Sequence, residues 1–305
     1  MDRLEAMRLF VRVAEMGSFS AVAQQQGVAR SVVTRQVAAL ESHLGSKLIA
    51  RSTRRLALTS AGAEYLEKCR VILNLVDVAE GGVAAEHHVP RGPIHLSVPL
   101  AFGRRHLSPH LLAFARRYPE VRLDIDYIDR RSNLIEEGID LAVRVTNQLE
   151  PGDVARRISA SSMVVTAAPE YLALHGEPAH PKELIHHECL VYTVAGRPSS
   201  WEFLIDGRPQ HFPVSARLQA NNGDALLQAA IAGFGLTCSP LFIAADALQA
   251  GQVRRVLAGF ATPKPGIYAV LPSNKHVPHR VRMLMDYLAQ CLGPEPPWEA
   301  IVPAP

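Results

Sequence analysis

Residues 18–44, SFSAVAQQQGVARSVVTRQVAALESHL, constrain the fold of this chain more than any other stretch. They read as two helices, over about 20–26 and 29–44, joined by a corner at Gly27-Val28, where glycine supplies the backbone freedom of a sharp turn. In the second helix Val33, Val37, Leu40 and Leu44 are spaced four, three and four apart, which sets them on one narrow stripe that can pack. Ser31, Thr34, Arg35, Ala38 and Ser42 fall on the opposite face. A major groove admits a helix with such a face, because Arg can pair bidentately with guanine and Ser or Thr can bond to bases or phosphates. Helix geometry alone leaves an equal alternative, an ordinary amphipathic pair in a core, since polar faces are commonly just solvated.

The flanking residues favour the first reading. Two short apolar runs, 48–50 and 56–58, enclose a polar turn carrying Arg51, Arg54 and Arg55. This pattern predicts a small β-hairpin with a basic tip, a wing suited to phosphate or minor-groove contact. The stretch AVAQQQGVARSVVTRQVAALESHLGSKLIARSTRRLALTSAG resembles the winged helix-turn-helix of LysR-type transcriptional regulators, and the resemblance is nearly continuous over 4–62. Thr34 stands where that family often has Ser, and Arg30 where a small or polar residue is commoner. Both departures bear on the operator sequence rather than on DNA binding. The residues expected to meet DNA are Arg30, Ser31, Thr34, Arg35, Arg51, Arg54 and Arg55.

Charge distribution agrees. The 305 residues carry a formal net charge of only +3, yet residues 1–59 hold nine Lys/Arg against four Asp/Glu, and the remainder is net −2. Positive charge is therefore concentrated where phosphate contact is expected. The length suits two or three domains, and 48% hydrophobic residues suffice for real cores. The N-terminal stretch carries charges throughout, unlike a signal peptide, and no run approaches a membrane span. Cys69, Cys189, Cys238 and Cys291 are far apart with no CxxC pair, which suggests buried thiols in a reduced cytoplasm; a redox-sensing pair is the minor alternative.

In chain order, Leu4, Met7, Phe10, Val11 and Ala14 repeat at helical spacing and predict a first helix packed behind the helix-turn-helix. Thr59 or Ser60 is expected to cap a long helix running to about residue 86. Its residues Leu66, Cys69, Leu73, Val76, Glu80 and Val83 form a heptad seam broken at Glu80, which predicts dimerisation through this linker and an inverted-repeat site. Packing of that seam on the chain's own later domain is the alternative. Pro and Gly in 87–93 mark a hinge.

From residue 94 the chain alternates strands (94–99, 121–127, 139–145) with helices (107–118, 133–137), implying a mostly parallel sheet covered by helices. A second set follows. Strands are expected at 162–167, 189–193, 201–205, 214–218 and 236–239, helices at 169–175 and 223–232, then a strand at 266–271 and a closing helix at 278–292. The fold class is α + α/β: a winged helix-turn-helix (1–59), a linker helix and hinge (60–90), and a two-lobed α/β domain (91–293). By the resemblance, that domain is an effector-binding region related to type 2 periplasmic solute-binding proteins. Its first lobe is about 91–162 plus 267–292, and its second about 163–266. The proline-rich 294–305 is expected to be a flexible tail.

Ligands of open α/β sheets lie beyond strand carboxyl ends, near helix N-termini. Pro99, Leu100, Ala101, Phe102, Thr146, Asn222 and Ser239 occupy such positions, and the resemblance places them around the interlobe cleft. Taken singly, Asn222, Asp224 and Ser239 read as capping or turn residues. Arg104 and Arg105, beside two helix starts, suggest a small organic anion as effector, with Phe102 as an apolar wall. No HExxH, GxSxG, P-loop or metal-ligand spacing occurs, and Gly233-Phe234-Gly235 follows a helix rather than a strand. Neither catalysis nor a cofactor or metal is therefore expected. The expected partners are double-stranded promoter DNA, further copies of the chain forming a dimer and then a tetramer, an unidentified small-molecule effector, and RNA polymerase if the protein activates. A scaffold whose helix-turn-helix serves protein contacts is the alternative; in it, removing Arg35, Arg51 and Arg54 would leave DNA affinity untouched.

Overall fold

The computed structural model describes residues 2–51, 56–83, 89–193, 199–272 and 277–301. They form two compact units, a helical head with its linker helix and an α/β region.

Each helix of the head begins or ends on a residue suited to the task. Helix α1 (Arg3–Met16) starts under the Asp2 carboxylate, which accepts from the Leu4 and Glu5 N–H groups. Helix α2 (Phe19–Gln26) is capped by Ser18 and ends at Gly27, whose φ of 66° a side chain would strain. Helix α3 (Arg30–Leu44) follows, then the antiparallel pair β1 (Ile49–Arg51) and β2 (Leu56–Leu58), then α4 (Ser60–Val83). The expected helix-turn-helix, wing strands and linker helix are all present. Phe10, Val13, Val22, Val33, Val37, Leu40 and Leu48 fill the core between them.

Two details of the pattern differ from expectation. Leu44 is 38% exposed, and Glu41 instead takes the buried place at the end of the α3 stripe. Leu66 and Cys69 of the linker seam are buried in the head's own core, with Leu73 packed against it. The N-terminal half of the seam thus serves neither partner weighed from the sequence. Thr59 caps α4 by accepting from the Gly62 N–H. Gly62 lies so close to the wing strand that a Cβ would sit 2.0 Å from the Leu48 carbonyl oxygen.

The α/β region opens with β3 (Gly92–Val98), the single turn α5 (Leu100–Phe102), a π-helical turn (Gly103–Leu107) and α6 (Ser108–Arg117). Strands β4 (Val121–Tyr127), β5 (Leu141–Thr146) and β6 (Val154–Ala160) follow. Residues 133–137, expected to be helical, form no helix; 134–138 are a turn instead, closed by the Ile139 N–H on the Leu134 carbonyl. Five residues ahead of a left-handed Gly138 are too few to repay helix nucleation.

The second lobe comprises β7 (Met163–Ala167), α7 (Pro169–His175), a 3-10 turn (Pro181–His186), β8 (Glu188–Tyr192), β9 (Ser200–Ile205), β10 (Arg208–Pro213) and β11 (Ser215–Ala220). It continues with α8 (Gly223–Ile231), β12 (Leu236–Pro240), α9 (Leu241–Gln249) and β13 (Arg254–Val256). The chain then returns to the first lobe as β14 (Gly266–Leu271) and α10 (His279–Leu292). The first sheet runs β4-β3-β5-β14-β6 and the second β11-β8-β12-β7-β13. Parallel pairs β3–β4, β3–β5, β8–β11 and β8–β12 occupy one side of each sheet. Returning antiparallel strands occupy the other side.

The sequence reading lacks β6, β10, α9 and β13. Strand β10 pairs with β9 across Asp206-Gly207, both at positive φ, the residues that a two-residue hairpin turn favours. The C-terminal segment also departs from expectation. Instead of a free tail, Pro297–Ile301 forms a 3-10 turn with Trp298 buried. A large apolar ring gains enough from burial to hold a segment whose prolines bar a regular helix. The tail residues 302–305 lie outside the described residues.

Candidate nucleic-acid interface and interlobe cleft

On α3, Val33 and Val37 turn into the head while Arg30, Ser31 and Arg35 are exposed and Thr34 is half-buried. With Ala38 they line an open concavity of about 540 Å³. Ala29 offers no side-chain cap, so the first N–H groups of α3 receive none from it. Arg30 and Arg35 make no hydrogen bond or ion pair with the described residues. Two unpaired guanidinium groups, two hydroxyls and a helix N-terminus on one concave surface suit an anion-rich ligand with a wide groove. Arg51 ends strand β1. Arg54 and Arg55 lie outside the described residues.

Sequence reasoning missed Glu41, which ties the wing to the recognition helix. Its carboxylate, 4% exposed, accepts the Leu48 N–H at 3.0 Å, the Ile49 N–H at 3.1 Å and the Lys47 ammonium at 2.7 Å. Burial alone would raise its pKa, but the Lys47 bond and the two amides prevail and hold it below the usual carboxylate range. The signal was a carboxylate three residues before Leu44, on the apolar side of α3 rather than the polar one.

Most of the candidate cleft residues are engaged with the protein itself. The Leu100 N–H, at the start of α5, donates to Asp129 Oδ1 at 2.9 Å, and the Asn222 amide donates to Asp129 Oδ2 at 3.3 Å. Asp129 thus joins the first lobe to the second, a link that the sequence did not flag. Asn222 Oδ1 caps α8 by accepting the Ala225 N–H, and Thr146 Oγ1 closes a turn with Gln148. Pro99 precedes α5, and Ala101 and Phe102 are buried. Phe102 has no exposed surface and packs edge-on against Phe242 and Trp298, so it supports the cleft from behind rather than walling it. Ser239 is buried, and its hydroxyl has no partner among the described residues; Thr166 on the adjacent strand is in the same state.

The proposed anion subsite is corrected by the same geometry. Arg105 bonds Asp224 at 2.9 Å and Asp246 at 3.0 Å, and Arg104 reaches Asp224 at 3.3 Å. Both cations already have carboxylate partners in the second lobe, so they clasp the lobes. His106 adds a 3.0 Å bond to the Phe242 carbonyl, and burial holds its pKa below the ordinary histidine value.

Burial pushes the thiols of Cys189 and Cys238 up to about 12 and that of Cys69 to about 11, far from thiolate reactivity. Among the described residues no cluster of His, Cys, Asp or Glu could hold a metal, and no helix is long and apolar enough to cross a membrane.

Comparison with known proteins gives the family of both domains. Residues 4–63 match the bacterial regulatory helix-turn-helix protein, lysR family, and residues 87–292 match the LysR substrate binding domain. The solved structure of CrgA, a LysR-type transcriptional regulator from Neisseria meningitidis, is 34% identical with a TM-score of 0.61 over 95% of this chain and 98% of its own. AphB, the Vibrio cholerae virulence activator, is 25% identical with a TM-score of 0.57 over 94% and 98%. A transcriptional repressor of Pseudomonas aeruginosa is 31% identical over 97% of this chain and 94% of that protein. Taken with the helix-turn-helix, the wing strands and the two-sheet α/β region, these matches show that the chain belongs to the LysR family of transcriptional regulators, with a DNA-binding head and an effector-binding domain.

Proposed function

We propose that α3 enters the major groove of promoter DNA, with Arg30, Ser31, Thr34 and Arg35 meeting bases and phosphates. The wing arginines Arg51, Arg54 and Arg55 then meet the backbone or minor groove beside it. The arginine and hydroxyl face of α3, whose two guanidinium groups have no partner among the described residues, carries this reading. Two heads joined through the exposed part of the linker helix would read an inverted repeat, and further pairing of the α/β regions would give a tetramer. Val71, 54% exposed on α4, is available for that pairing. The full chain should bind a duplex carrying its operator with steep salt dependence, and Arg30→Ala, Arg35→Ala together should abolish discrimination from random duplex. Equal binding of both duplexes by the unaltered chain rejects the reading.

A small organic effector in the interlobe cleft would act by binding one lobe arrangement better than another, changing the spacing of the heads and contact with RNA polymerase where the protein activates. The orphan Ser239 hydroxyl supports a polar ligand contact there. Leu100, Asn222 and Thr146 would contribute by exchanging their present internal bonds for bonds to the ligand, beside Pro99 and Ala101, with Phe102 packed behind them. Thermal melting of the full chain against a metabolite panel tests this. A hit whose shift survives Asn222→Ala, Thr146→Ala and Ser239→Ala together would place the effector elsewhere.

A further inference from the structure

Beyond Leu292, where the match to the substrate-binding family ends, nine described residues follow. Their contacts converge on the two places where the chain crosses between lobes. The first crossing, 161–162, links β6 to β7; the second, 257–265, links β13 to β14. The Trp298 indole N–H donates to the Ala160 carbonyl at 3.1 Å, at the edge of the first crossing. The Glu299 carboxylate accepts the Ser162 N–H and hydroxyl, each at 2.7 Å, and the Lys264 ammonium of the second crossing at 2.8 Å. Burial would raise the Glu299 pKa, but these donors keep it low and the group ionised.

The Trp298 ring packs on both lobes. Its centroid lies 5.7 Å from Phe102 and 4.6 Å from His106 in the first lobe, and 6.1 Å from Phe242 in the second. Only 3% of Trp298 is exposed. Any rotation of one lobe against the other must pull on the aromatic cluster, on the Ala160 bond, or on the Glu299 bridge between the crossings. Close-packed side chains do not deform continuously, so such a cluster holds one arrangement or yields to another.

We propose that Pro297–Ile301 is a hinge staple, with Trp298 and Glu299 as positioning residues that set the angle between the lobes. An effector response of the kind described above rests on that angle, but the staple itself does not depend on DNA binding.

The test uses the full chain with nitroxide labels at Ala113→Cys on α6 and Ala173→Cys on α7, both exposed, in a Cys238→Ser, Cys291→Ser background. Labelled protein is diluted into unlabelled protein so that distances within one chain dominate. The unaltered staple should give one narrow interlobe distance distribution. Trp298→Ala should broaden or displace it. Glu299→Gln, which loses the Lys264 ion pair, and Trp298→Phe, which loses the N–H bond, should each do so to a smaller extent. A folded Trp298→Ala protein with the unaltered distribution overturns the proposal. Should Trp298→Ala fail to fold, unchanged distributions in both Glu299→Gln and Trp298→Phe overturn it equally. Failure of the same protein to bind its operator would reject the regulator reading and leave the staple standing.

Discussion

Arg30 and Arg35 on α3 and Arg104 and Arg105 beside α5 are alike in the sequence as cations on or next to an expected helix. In the folded chain they differ. Arg30 and Arg35 have no partner among the described residues, whereas Arg104 and Arg105 are matched to Asp224 and Asp246. An unpaired guanidinium keeps its full attraction for an external phosphate, while a paired one must first lose a carboxylate. The same residue type therefore marks a binding surface in one region and an internal clasp in the other.

The largest expected effect concerns the scaffold beneath the unpaired pair. Glu41→Ala leaves two buried amides without an acceptor and should cost about 2–4 kcal/mol of head stability, read by denaturant melts. Glu41→Gln, which retains one acceptor, should cost less. Because the folded carboxyl titrates below its unfolded value, the Glu41 contribution is present at neutral pH. It should be lost as pH falls from the ordinary carboxylate value through the lowered one, and the Glu41→Gln melt should lack that acid-side dependence.

Next in size, Arg35→Ala should weaken operator binding by about 1–3 kcal/mol if the side chain reads a base, or flatten the salt slope by roughly one if it meets a phosphate. Anisotropy titrations at several salt concentrations distinguish the two. An unchanged affinity and slope would erase the contrast with the clasp.

Arg105→Ala should lower stability by about 1–2 kcal/mol, since its bonds to Asp224 are partly shielded, with 23% of the Arg105 side chain exposed. It should leave DNA binding by the head untouched. Arg104→Ala, with 66% of the side chain exposed, should leave the melting curve near that of the parent, as expected of a surface ion pair. Equal losses from the two arginines would show that the clasp is shared rather than centred on Arg105.

Helix faces and most of the strand positions were legible in the sequence because they depend on local periodicity. The order of the strands was not, and half of the pairs in the two sheets are antiparallel where a mostly parallel sheet was expected. Val33, Val37 and Leu40 are buried on the spacing alone, and the helix-turn-helix, the wing strands and the linker helix occur where the pattern places them. Partner choice was not legible. Nothing local distinguishes Arg105, whose partners are more than a hundred residues away, from Arg35, which has none among the described residues. Leu66 and Cys69 fit a dimer seam by spacing, yet the head's core claims them first.

Sequence alone determined the family, the polar face of α3, and the concentration of positive charge in the first fifth of the chain. Tertiary structure decided that Glu41 is buried, that the cations of the cleft are already paired, and that Trp298 docks where a loose tail was expected. The physical reason is common to all three. Burial and charge pairing depend on groups brought together from distant parts of the chain, and a one-dimensional pattern records only neighbours.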